Sequence, residues 1–114
     1  MEITDLKLFA AKQSEIINNN YLPGYDIEKR ILHAAVKSNE ELGELCDVVL
    51  KGLGAQRSKK LEDFNKGQIE SEIADVVFSV SVLAHLMEID IEKAIEDKMR
   101  VINSRYDKNG KELS

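Results

Sequence analysis

Four carboxylates carry the chemistry of this chain. Glu41 and Glu44 belong to the stretch Glu40-Glu41-Leu42-Gly43-Glu44-Leu45, and Glu72 and Asp75 to Glu72-Ile73-Ala74-Asp75. Each pair has spacing i, i+3, which on a helix places both side chains on one face with Cβ atoms roughly 5–6 Å apart. A single Glu-x-x-Glu is ordinarily a solvated helix face. The second pair changes that reading, because it leads into the apolar run Ile73–Met87. A carboxylate buried without a partner costs several kcal/mol or takes up a proton. A cation shared between the two pairs removes that cost. Oxygen ligands without a Cys or His cluster suit a hard ion, Mg²⁺, with Mn²⁺ as a substitute.

Mg²⁺ completes its shell with water and phosphate oxygens, so a polyphosphate is the substrate class this pattern suggests. Lys98 and Arg105 are candidate phosphate ligands, seven apart on one helical face. The competing reading is an ordinary complement to the dipole at a helix C-terminus. His33 and Lys37 share a helix side with Glu41 and Glu44 and are candidate substrate contacts. For His33 the competing reading is a partly buried, hydrogen-bonded histidine. The sequence suggests no Ser-His-Asp or Cys-His nucleophile and has no glycine-rich phosphate loop.

The elements that must hold these residues are helices. One Pro, six Gly and six aromatic residues in 114, with 43% apolar and 32% charged residues, favour long helices over sheet. Thr4 is expected to cap a first helix that runs to about Ile17 and ends at Asn18-Asn19-Asn20. Pro23-Gly24 makes a turn. Asp26 caps a second helix from Ile27 to about Lys51, which Gly52 and Gly54 stop. On it, Leu32, Ala35, Leu42, Cys46, Val49 and Leu50 form the expected core stripe, with the carboxylates beside it. Gly43, inside this helix, is expected to mark the close approach of another helix or of the metal site. Leu53–Gly67 reads as a loop with a helical turn at Leu61–Asn65. The third helix, about Gln68–Glu88, is apolar on nearly all sides and therefore central. Asp90 caps a fourth helix from Ile91 to about Tyr106, and a polar tail begins at Asn109.

The expectation is a single all-α domain over residues 1–114, a four-to-five-helix bundle completed by oligomerisation. A monomer of this length has little with which to cover the third helix. The net charge of −5 argues against non-specific nucleic-acid binding. Ile73–Met87 is shorter than the roughly 20 residues of a bilayer span, and Met1–Phe9 carries too many charges for a signal peptide. The single Cys46 cannot form an internal disulfide, which suits a reduced cytoplasmic setting. It is expected to be buried.

The doubled acidic start Glu40-Glu41-x-x-Glu44, followed by Glu72-x-x-Asp75, resembles the signature of the MazG-type nucleoside triphosphate pyrophosphohydrolases. That all-α superfamily includes dimeric dUTPases, dCTP pyrophosphatases and phosphoribosyl-ATP pyrophosphohydrolase. Ala74-Asp75-Val76-Val77, Ile89–Ile95 and Lys98 fit as well, so the resemblance spans about Glu28 to Tyr106. It implies Mg²⁺-dependent hydrolysis of a nucleoside triphosphate to monophosphate and pyrophosphate, in house-cleaning or pool control. It implies Glu41, Glu44, Glu72 and Asp75 as metal ligands, and Glu40 as the residue that orients or deprotonates water. Lys98 would hold phosphate, and Asn103, Arg105 and Tyr106 match a terminal cluster of the family. It also implies a homodimer or homotetramer. Two other readings stay open: a phosphoribosyl-ATP pyrophosphohydrolase-like enzyme, and a non-catalytic helical module that binds nucleotide or a protein partner.

Overall fold

A computed structural model describes residues 1–53 and 65–113. Four helices follow one another: α1 (Ile3–Tyr21), α2 (Ile27–Gly52), α3 (Lys66–Leu86) and α4 (Ile91–Asn103). The fold is all-α, as expected. The β pairing among the described residues is one isolated antiparallel bridge between Tyr106 and Glu112.

The helix ends show which local signals act. Asp26 caps α2 by accepting the Lys29 N–H at 2.9 Å. Asp90 caps α4 by accepting from Glu92 and Lys93. Both were expected. The cap of α1 is Glu2 and not Thr4: the Glu2 N–H donates to Asp5 Oδ2 at 2.8 Å, half of a capping box. The three asparagines do not stop α1 either. They form its last turns, and Asn20 Nδ2 donates back to the Ile16 carbonyl at 2.9 Å. The chain reverses just after, where Gly24 adopts φ +81°.

Gly52 is the last residue of α2, while Gly54 and most of the turn expected at Leu61–Asn65 lie outside the described residues. Asn65 itself caps α3, accepting the Gln68 N–H at 3.0 Å. Helix α4 ends at Asn103, short of Tyr106. The segment after it folds back on itself: Asp107 Oδ1 accepts the N–H groups of Asn109 and Lys111, and the Leu113 N–H reaches the Arg105 carbonyl at 2.7 Å.

Helix α3 is central, packed along both α2 and α1. Leu6, Ala10 and Ser14 bury one face of α1, and Phe9 meets Phe78 of α3 with ring centroids 5.1 Å apart. Among the described residues, α4 makes no extensive packing with the other helices. Its start is tied to α1 by an ion pair from Lys7 Nζ to Asp90 Oδ1 at 3.1 Å.

Three packing expectations fail. The apolar stripe of α2 is not the core: Leu32, Leu42 and Leu50 are 60%, 49% and 47% exposed, and Cys46 is exposed. Helix α2 instead turns the face of Ala34 and Glu41 inward, toward α3. A Cβ added at Gly43 would meet nothing within 4 Å, so no close approach requires that glycine. The central helix is also left partly bare, with Ile73, Val77 and Val80 exposed. The radius of gyration is 17.8 Å, against about 13 Å for a compact chain of this length. The single chain is thus an open bundle whose acidic face is inside and much of whose apolar surface is outside.

Candidate metal site and adjoining cavity

Packing of α2 on α3 brings Glu41, Glu72 and Asp75 together, each offering a carboxylate oxygen within 4.8 Å of the others. Glu72 and Asp75 share a face of α3 by their i, i+3 spacing, just beyond the Asn65 cap. Glu41 comes from the inward face of α2 and is buried. Its Oε1 lies 3.3 Å from Lys37 Nζ, one turn earlier. Its Oε2, like Glu72 Oε2, is buried with no hydrogen-bond partner.

The electrostatics follow from this crowding. The charge of Glu41, a hydrogen bond with Glu41, and the charge of Glu72 raise the carboxyl of Glu44 above the ordinary range. Glu44 therefore stands beside the cluster without joining its innermost three. Lys37 is held more firmly protonated, first by its hydrogen bond to Glu41, although partial burial works against this. The ammonium of Lys37 meets Glu41 and Glu40 and feels the charge of Glu44. Buried carboxylate oxygens are normally satisfied, so two orphaned oxygens on residues of one carboxylate cluster fit a hard cation.

The other candidates stand in different places. Glu40 is exposed, its Oε2 3.7 Å from Lys37 Nζ, and is not part of the cluster. His33 is exposed on α2. Lys98 and Asn103 are exposed on α4, and Arg105 and Tyr106 follow its end. Among the described residues none of these four makes an ion pair with the carboxylates. Arg100 is engaged within α4 by Asp97, at 2.6 Å.

A cavity of about 260 Å³ lies among α1, α2 and α3, bounded by Phe9, Ile17, Phe78, Val82 and Leu86 on its apolar sides. Asn18, His33 and Lys37 also line it. Asn18 Oδ1 is buried without a partner. Sequence reasoning missed this residue by taking it for a helix stop. The signal was available: Leu6, Ala10 and Ser14 recur every four residues, and carrying that line one step further, through the asparagines, reaches Asn18.

The family model for the MazG nucleotide pyrophosphohydrolase domain matches residues 32–109. The matched segment begins within α2, runs through α3 and α4, and contains all the clustered carboxylates; α1 lies before it. No curated protein and no solved structure matches the chain.

Proposed function

The chain belongs to the MazG nucleotide pyrophosphohydrolase family, and from that premise we propose that it hydrolyses (deoxy)nucleoside triphosphates to monophosphate and pyrophosphate with Mg²⁺. The observation that carries this reading is the pair of buried, unpartnered oxygens, Glu41 Oε2 and Glu72 Oε2. They belong to a three-carboxylate cluster inside the matched segment. Glu41, Glu72 and Asp75 are assigned as ligands, with Glu44 as the fourth. A bound Mg²⁺ supplies neutralisation of phosphate charge and a more acidic water.

The chain's own groups do the rest. Glu40, exposed beside the cluster, takes the proton of the attacking water. Lys98 and Arg105 hold phosphate oxygens, and Asn103 and Tyr106 contact substrate from the same end of α4. Lys37 neutralises Glu41 before the ion binds and is then free to meet substrate. Positioning and charge neutralisation are the principal sources of rate in phosphoryl-type transfer, and no covalent nucleophile is needed.

We assign the closing of the site to a homodimer or homotetramer. The bare apolar surfaces of α2, α3 and α4 are the surface such an assembly would cover. Among the described residues no helix is long and apolar enough to cross a membrane; the role we assign is nucleotide-pool control in the cytoplasm.

The test is pyrophosphate release from a panel of canonical and modified nucleotides with Mg²⁺ or Mn²⁺. Turnover should vanish with EDTA, and Asp75→Asn should lower it at least about 100-fold, as expected for loss of a ligand when supporting partners alone cost 10–100-fold. Absence of turnover on every nucleotide would refute the proposal.

A further inference from the structure

We propose that Asn109 is a site of spontaneous deamidation, and that the change releases the hairpin that follows α4. The chain has seven asparagines, and Asn109 alone is followed by glycine. Gly110 has no Cβ to keep its backbone nitrogen away from the Asn109 side chain. Asn109 and Gly110 are both exposed at the tip of the hairpin, and Gly110 sits at φ +79°. Among the described residues no hydrogen bond holds the Asn109 side-chain amide.

The other asparagines stand differently. Asn18, Asn19, Asn20, Asn39 and Asn103 lie within helices, where the next backbone N–H belongs to the helix ladder. Asn65 caps α3 and accepts the Gln68 N–H through its side chain.

The reaction needs only water. The Gly110 nitrogen gives its proton to solvent and attacks Asn109 Cγ. A C–N bond forms, the Cγ–Nδ2 bond breaks, and the amide nitrogen leaves as ammonia. Water then opens the cyclic imide. Cleavage of the new Cγ–N bond gives aspartate on an unchanged backbone. Cleavage at the backbone carbonyl gives isoaspartate, whose chain runs through the side chain and is one atom longer.

The hairpin is built so that this change matters. Asp107 Oδ1 accepts the Asn109 and Lys111 N–H groups at 2.8 and 2.9 Å. The Asp107 carbonyl accepts the Gly110 N–H at 2.9 Å, and the Asp107 N–H donates to the Lys111 carbonyl at 2.8 Å. The bond from Gly110 occupies the attacking nitrogen, so Asp107 also slows the reaction. Once it has occurred, an added backbone atom shifts this set of bonds out of register, and a new carboxylate stands two residues from that of Asp107. Arg105 and Tyr106, assigned to phosphate and substrate, are on the first arm of the hairpin. That consequence rests on the nucleotide reading, whereas the modification does not.

The test holds the folded protein in neutral buffer and follows every asparagine by mass spectrometry of its peptides, with aspartyl and isoaspartyl forms separated by chromatography. Asn109 should lose its amide before any other asparagine and give both products, the signature of the imide. Asp107→Ala should speed that loss about fivefold, the population factor of one forfeited hydrogen bond, and Asn109→Gln should prevent it. In the isoaspartyl form the Lys111 and Leu113 amides should exchange with solvent faster than in fresh protein.

Loss at Asn109 no faster than at Asn103, or aspartate as the sole product, overturns the modification. Unchanged exchange at Lys111 and Leu113 overturns the release. Wild type alone decides both if Asp107→Ala does not fold. No nucleotide enters these measurements, so an inactive hydrolase would leave their outcome unaffected.

Discussion

The two faces of α2 behave in opposite ways. The face carrying Lys37 and Glu41 is turned toward α3 and gathers charge. The face carrying Leu32, Leu42 and Leu50 is turned toward solvent in the single chain. Burial by hydrophobicity alone would reverse the two. The difference teaches that in the single chain the orientation of α2 does not follow its apolar stripe, which stays in solvent while the acidic face meets α3.

Removing the charge from the inner face tests that contrast most sharply. Glu41→Gln should lower turnover at least about 100-fold while leaving the metal-free fold as stable as wild type or more so, because it removes repulsion. A large loss of stability in EDTA, read by thermal melting, would mean that Glu41 serves the fold and not the ion.

Adding the ion is the complementary test. Mg²⁺ at 100 times its Kd should stabilise the protein by about 2.7 kcal/mol, seen as a rise in Tm that EDTA reverses. The same addition to Glu72→Gln should give a much smaller rise.

The outer face is tested by charge. Leu42→Glu on a surface that stays in solvent should change stability by less than about 0.5 kcal/mol. If a second copy covers it, the variant should shift to a smaller mass by light scattering at micromolar concentration. An unchanged oligomer would show that this face is not its interface.

The smallest effect concerns pH. Glu44 has a raised folded-state pKa, chiefly from the charge of Glu41. Its ionised form therefore disfavours the folded state above that pKa. The penalty fades as pH falls through the folded value and is gone below the ordinary Glu value of about 4.3. Metal-free Glu44→Gln should accordingly melt higher than wild type near pH 7, with the gap closing by about pH 4. Asp90 has the opposite sign. Its carboxyl is held low, first by Lys7 and then by the Lys93 N–H. The stability it contributes is full above the ordinary Asp value and is lost as pH falls through the lower folded one.

Much of this was legible in the residues. Asp26 and Asp90 cap their helices as their positions imply, since a short carboxylate before an amphipathic run has an N–H within reach. The pairing of Glu41 with Glu72 and Asp75 was legible because i, i+3 spacing fixes a shared face whatever the tertiary fold. The Thr4 cap was misread because Glu2 and Asp5 offer a reciprocal pair of bonds where Thr4 offers a single one. Asn18 was misread because asparagine favours helix ends, yet here three asparagines continue the helix.

Spacing and residue type alone specified four helices and the shared face of each carboxylate pair, because both depend on contacts within a turn or two of chain. Which side of α2 is inside depended on what α3 presents to it. Periodicity finds a stripe, but it does not say whether the stripe meets the same chain or another surface. The packing of α3 between α1 and α2 decided that the carboxylates face inward and that Asn18, on a helix without a recognisable motif, borders the cavity beside them.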